Sequence, residues 1–210
     1  MNNLENMDNL HFDVLRELGN IGSGNAVSAL AKIIGKKVTM RIPIVNIVEF
    51  KDIANFLGGP DQIIIGILVG ISGDINGIMM FLFRQKTARS LANILMNYML
   101  GANKDEEGKE FNEIELSALM EVGNILASSY LSSLAGITQK KLTPSVPYIS
   151  IDMANAILSV PAIEFGKVAD KALFIESVFE ADQEDISGYF LLVPDMESFN
   201  IILTSLGVGK

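Results

Sequence analysis

The 210-residue chain contains no cysteine, which excludes disulfides and thiolate metal sites and fits a reducing compartment. Histidine is nearly absent as well. The single His11 excludes a multi-histidine metal centre or a histidine-based triad, and it reads as a solvated residue ahead of a helix. Basic residues are scarce: 16 Lys and Arg stand against 25 Asp and Glu, for a net charge of −9 and a pI near 4.6. That balance argues against nucleic acid, because phosphate backbones select basic faces, and equally against an anionic membrane surface. No long hydrophobic run is present. Ile63–Ile71 is short and includes two glycines, too little to cross a bilayer. The opening MNNLENMDNLHFD has neither the basic region nor the apolar stretch of a signal peptide. A soluble cytoplasmic protein is expected.

What the chain does have is apolar content, 49% with a mean hydropathy of +0.35, enough for a sizeable core. It also repeats itself. DVLRELGN (Asp13 to Asn20) is echoed in the second half by SALMEVGN (Ser117 to Asn124). Each Asn is followed at the same distance by a proline, Pro43 after Asn20 and Pro147 after Asn124. Helical patterning runs from Asp13 to about Ile34 and from about Glu113 to Leu134. Both stretches end near a glycine and lysines, with Gly35 and Gly136 as C-cap candidates.

After each proline comes a short strand-like run, Ile44–Val48 or Tyr148–Ile151, and then a short helix, Lys51–Leu57 or Ala154–Leu158. A β-pair follows in each half. DQIIIGILVGIS leads to DINGIMMFLF, and KALFIESVFEA to EDISGYFLLV, with Asp74-Ile-Asn-Gly77 matching Asp185-Ile-Ser-Gly188 as a strand entry or tight turn. QKTARSLANILMNYML and DMESFNIILTSLG close the halves as helices, and Gly101–Glu113 is the linker. Three strands cannot bury a face alone. The fold class expected is therefore α+β: a duplicated half-domain with pseudo-twofold symmetry, its mainly antiparallel sheet covered by two long helices. Residues 1–210 would form one domain of two repeats, about 10–104 and about 111–208.

On a helix, positions i, i+4 and i+7 share a stripe. Asp13, Glu17 and Asn20 then lie on one face, as do Ser117, Glu121 and Asn124, while Leu18, Ile21, Val122 and Ile125 point toward the core. A repeated carboxylate and amide at this spacing is either a solvated helix face or a functional one. Duplication preserves core residues easily, and an exposed Glu and Asn less obviously.

The pattern [DS]-x-x-x-E-x-x-N with a proline at a fixed distance beyond it resembles the signature of the CheC/CheX/FliY family, CheY-phosphate phosphatases of bacterial chemotaxis. It matches at every signature position in both copies, and the likeness covers essentially the whole chain. The resemblance implies hydrolysis of the aspartyl phosphate on the response regulator CheY. Asn20 and Asn124 would orient the attacking water, and Glu17 and Glu121 would engage the regulator's active-site lysine. The chemistry suits these residues: an acyl phosphate is already activated, the regulator carries its own Mg²⁺ and lysine, and what remains is positioning. An amide accepts a hydrogen bond through oxygen while donating through nitrogen, but it cannot act as a general base. No cofactor or metal of the chain's own is implied. Asp13 and Ser117 hold the first motif position as helix-face polarity or local support for the glutamate. Pro43 and Pro147 are structural, limiting pairing at the strand entry.

GNIGSG (Gly19 to Gly24) has the order G-x-x-G-x-G inside a helix, not the strand-to-helix G-x-G-x-x-G of a dinucleotide site. Its glycines suit close approach of a backbone or partner helix near Asn20. Met79, Met80, Met96 and Met99 are spaced for core packing. The rival to an enzyme is a non-catalytic adaptor that docks the regulator without hydrolysing its phosphate. The family also implies a second partner, the receptor deamidase CheD, and Asp152 to Ile163 is the segment that could carry it or be a plain surface helix.

Overall fold

In a computed structural model the described residues are 9–35, 37–41, 44–100, 110–165, 171–181 and 184–207. Most of the expected linker lies outside them. The elements in chain order are α1 (Asn9–Ile34), β1 (Val38–Met40), β2 (Ile44–Glu49), α2 (Phe50–Leu57), β3 (Ile63–Gly73), β4 (Gly77–Arg84) and α3 (Gln85–Leu100). The second half follows with α4 (Glu113–Thr138), β5 (Leu142–Pro144), β6 (Tyr148–Met153), α5 (Ala154–Phe165), β7 (Lys171–Ala181), β8 (Glu184–Pro194) and α6 (Met196–Ser205). The two long helices that carry the repeated motif are each 26 residues.

Eight strands form one sheet in the order β1-β7-β8-β4-β3-β5, with β2 also on β7 and β6 also on β3. Every pairing is antiparallel. Exchanging each strand for its counterpart in the other half reverses this order and leaves it unchanged, as a twofold between β4 and β8 would require. The halves are therefore interleaved: the outer strands of each lie on the inner hairpin of the other, so neither half completes its sheet alone. That is the physical answer to a three-strand half that could not bury its own face.

Alternation along the strands divides the core. Ile65, Ile67, Phe81, Phe83, Ile175 and Phe190 face Leu30, Leu91, Leu119 and Val122 of the α1, α3 and α4 layer. Their neighbours Ile64, Met80, Leu82, Phe174 and Leu191 face Ile53, Leu57, Ile157 and Leu158 of α2 and α5. The strictly two-residue period of side chains makes one strand serve both layers. Met79 and Met80 are core residues, as their spacing implied.

Several expectations need correction. Among the described residues each half has four strands, because KVTMR and KKLTP, read as helix-terminal basic tails, contain β1 and β5. β5 and β6 both pair with β3, but the register slips by one residue between Ile71↔Pro144 and Leu68↔Tyr148. Ser145 sits in this bulge, its Oγ accepting from the Gly70 amide at 2.8 Å. Pro147 follows, just ahead of β6, where the ladder is already broken and a missing N–H costs little. The same slip separates β1 from β2 against β7; Pro43 itself lies outside the described residues. Gly136 is not a C-cap. α4 runs on to Thr138, and Gln139 takes the left-handed conformation at φ 56°, whereas Gly35 does take it, at φ 65°. Asp74–Asn76 is a turn as expected, but Asp185–Gly188 lies inside β8. α5 extends to Phe165 and takes Pro161 into its interior. α1 begins early enough to include His11.

Candidate functional site

α4 shows how the second motif face is built. Asn112 caps the helix, its Oδ1 accepting from the amides of Ile114 (3.0 Å) and Glu115 (2.9 Å), while the Asn112 amide donates to the Glu115 carboxylate at 2.8 Å. This reciprocal box satisfies donors that every helix start leaves open. From there Glu115, Leu119, Val122 and Leu126 form the buried stripe. Ser117 and Glu121 are exposed on the other side, and Asn124 is half-buried. On α1, Asp13, Glu17 and Asn20 are all exposed, with Ala26 and Leu30 turned inward. Each triplet thus shares a solvent-facing stripe.

The glutamates and asparagines make no side-chain hydrogen bond or ion pair among the described residues, which leaves their polar groups available to a partner. The first motif positions differ. Asp13 lies 3.8 Å from Arg16, a solvent-exposed pair of small energetic consequence. Ser117 donates to the Glu113 carbonyl at 2.8 Å, a bond within its own helix. Neither contact reaches the adjacent glutamate. Among the described residues no group of three or more His, Asp or Glu is placed to hold a metal.

Ile21, expected in the core, is 37% exposed beside Asn20, whereas its counterpart Ile125 is half-buried. The two faces are therefore not identical: the first offers an apolar group next to its amide. The glycines of GNIGSG also find a use. Gly22 receives the ring of Tyr130 from α4, and the Tyr130 hydroxyl hydrogen-bonds Ser23. Asn25 Nδ2 donates to Ser133 Oγ at 2.8 Å along the same crossing. The close approach is made by the chain's own second helix. Gly123 is closed too, since a Cβ there would come within 2.5 Å of Ile67 Cγ2 on β3. The glycine before Asn124 lets α4 lie flat on the sheet.

Two features escaped the pattern reading. Arg89 of α3 pairs with the fully buried Glu115 at 2.5 Å, and Tyr130 stacks on Phe190 with centroids 4.2 Å apart. Asn112-x-x-Glu115 ahead of an apolar run is a legible helix-start signal. Nothing in one sequence connects it to Arg89, which belongs to the preceding helix.

Comparison with known proteins adds to this geometry. The CheC-like family model matches residues 2–47 and 114–151, the two segments that hold the repeated motif and its proline. The CheY-P phosphatase CheC of Bacillus subtilis is 34% identical over 201 residues, 94% of each chain. Among solved structures, Thermotoga maritima FliY superposes with a TM-score of 0.75 at 20% identity, covering 97% of this chain and 99% of that one. The CheX–CheY–BeF3–Mg complex from Borrelia burgdorferi gives 0.52 at 16% identity, covering 82% and 94%. The two structures share the fold, and the Bacillus relative shares sequence along nearly its whole length. This chain belongs to the CheC-like family.

Proposed function

We propose that the protein hydrolyses the aspartyl phosphate of the phosphorylated chemotaxis response regulator CheY. The observation that carries the reading is the pair of equal helices, each presenting a Glu and an Asn three positions apart on one face, all exposed but the half-buried Asn124. A relative named as a CheY-P phosphatase, alike over 94% of its length, supports the substrate.

Glu17 and Glu121 dock the regulator by engaging its active-site lysine. Asn20 and Asn124 each accept a hydrogen bond from a water through the amide oxygen and hold it in line with phosphorus. The water oxygen bonds to phosphorus as the bond to the aspartyl oxygen breaks, leaving a free carboxylate and inorganic phosphate. The regulator's own Mg²⁺ and lysine take up the charge on the transferring group. Asp13 and Ser117 serve as polar supports of the same face, and Pro147, with Pro43 in the first half, serves the strand entry. CheD docks on Asp152 to Ile163, where Met153, Val160 and Ile163 are exposed apolar groups on the end of β6 and on α5.

The test is phosphate release from phosphorylated CheY by the parent and by Asn20→Ala/Asn124→Ala. Loss of a positioned hydrogen-bonding group costs on the order of 100-fold, so the double variant should be slower by at least that factor while still binding the regulator. If it matches an active parent, the assignment to these asparagines fails; if the parent itself releases no phosphate above the regulator's own rate, the docking adaptor takes the place of the enzyme.

A further inference from the structure

We propose that Arg89 and Glu115 are positioning residues for the second of the two motif faces, setting the rotation of α4 about its own axis and so the direction of Glu121 and Asn124. The inference rests on the phosphatase reading for its effect on rate, and on geometry alone for its effect on the helix.

Glu115 is a carboxylate with 0% exposure, and Arg89 is 7% exposed. The Arg89 Nη1 donates to Glu115 Oε1 at 2.5 Å, the Asn112 amide donates to Glu115 Oε2 at 2.8 Å, and the guanidinium carbon lies 3.9 Å above the centroid of the Phe111 ring. Arg89 thus grips both the cap and the first turn of α4 from α3. A buried ion pair contributes little net stability compared with an apolar pair of equal volume, so stability alone does not account for it. Direction does. Apolar contacts resist separation but tolerate small rotations, whereas charge-assisted hydrogen bonds lose strength steeply off axis.

The placement on the helical wheel makes that direction relevant. At about 100° per residue, Ser117, Glu121 and Asn124 lie about 200°, 240° and 180° from Glu115. The anchor therefore stands opposite the functional stripe, and a rotation at one is passed in full to the other. At a radius of about 6 Å, a rotation of about 20° moves the Asn124 amide by about 2 Å, and misplacement by about 1 Å can cost 100-fold. In the repeat alignment the corresponding positions of the other half carry His11 and Asn200, so an Arg–Glu ion pair is written into the second half and not into the first.

The experiment compares Arg89→Met/Glu115→Leu, an apolar replacement chosen to keep the core filled, and Glu115→Gln, which keeps the cap. Each is made in an Asn20→Ala background, where the second face works alone, and in an Asn124→Ala background, where the first does. We expect phosphate release by the second face to fall about tenfold or more in kcat, through Asn124, with a rise in KM through Glu121, while first-face turnover holds and the melting temperature of the apolar pair matches its background. Because the chain has no cysteine, nitroxide labels at Ser28→Cys and Ser128→Cys, both exposed positions, report the helix directly. Their distance distribution should shift or broaden in the apolar pair. An unchanged distribution overturns the proposal whether or not the parent hydrolyses the phosphate, as does unchanged second-face turnover or an equal loss at both faces. A parent with no phosphatase activity but a shifted distribution would instead remove the functional reading and leave the clasp standing.

Discussion

Gly22 of α1 lies so close against the ring of Tyr130 of α4 that an added methyl group would overlap the ring carbons. The ring has little room to yield, being stacked on Phe190 and bonded through its hydroxyl to Ser23. The repeat is asymmetric here: Gly22 corresponds to Leu126, and Tyr130 to Ala26. At both positions α1 carries the small residue and α4 the large one, and the crossing of the two motif helices is keyed by that difference.

Gly22→Ala should therefore destabilise the fold. Overpacking costs roughly 1–3 kcal/mol, set against a helix-propensity gain of about 1 kcal/mol, for a net loss of up to about 2 kcal/mol in urea unfolding. Gly24 and Gly136 face open space, so Gly24→Ala and Gly136→Ala should each stabilise by about 0.5–1 kcal/mol. Should Gly22→Ala stabilise as they do, the helices do not cross in this register.

The glutamates should behave differently from the asparagines. Glu17→Gln/Glu121→Gln removes the charge proposed to meet the regulator's lysine, which should raise KM and weaken CheY binding on the order of tenfold at low salt. The gap between parent and variant should narrow as salt screens exposed charges. A purely kcat effect, with binding and its salt dependence untouched, would contradict a docking role.

Burial pushes the Tyr189 phenol above its ordinary value, Glu176 adds to the rise, and Arg84 opposes it. A raised phenol means that the folded state favours the neutral form. Its contribution to stability is in place below the ordinary tyrosine value of about 10 and is lost as pH climbs from there through the folded-state value. Unfolding midpoints measured between pH 9 and 11 should fall more for the parent than for Tyr189→Phe. Parallel losses would show that this phenol does not govern the alkaline limit.

Val160 and Ile163 are 45% and 69% exposed on α5. Val160→Asp/Ile163→Asp should weaken CheD binding, read by titration calorimetry, while phosphate release by the protein alone stays at the parent level. Undiminished CheD affinity would move that partner elsewhere.

The family was reached through resemblance to a known signature, whereas local pattern was enough to specify the two motif helices, the solvent-facing side of their triplets and the antiparallel α+β class. These follow from periodicity, from repetition and from residue chemistry, all written along the chain. Even the closing helix α3 has the bounds its pattern implied, Gln85–Leu100. Other features depend on packing at a distance. β1 and β5 are three residues each, too short for an alternation of their own, and they are strands because β7 and β3 offer edges to pair with. Ile21 is apolar by composition yet exposed, because burial depends on where the neighbouring helix lies. Arg89 meets Glu115 from the helix before it, and Gly22 meets Tyr130 from the opposite half of the repeat. Such contacts are made when the interleaved sheet brings the helices over it, and no periodicity in the chain records them.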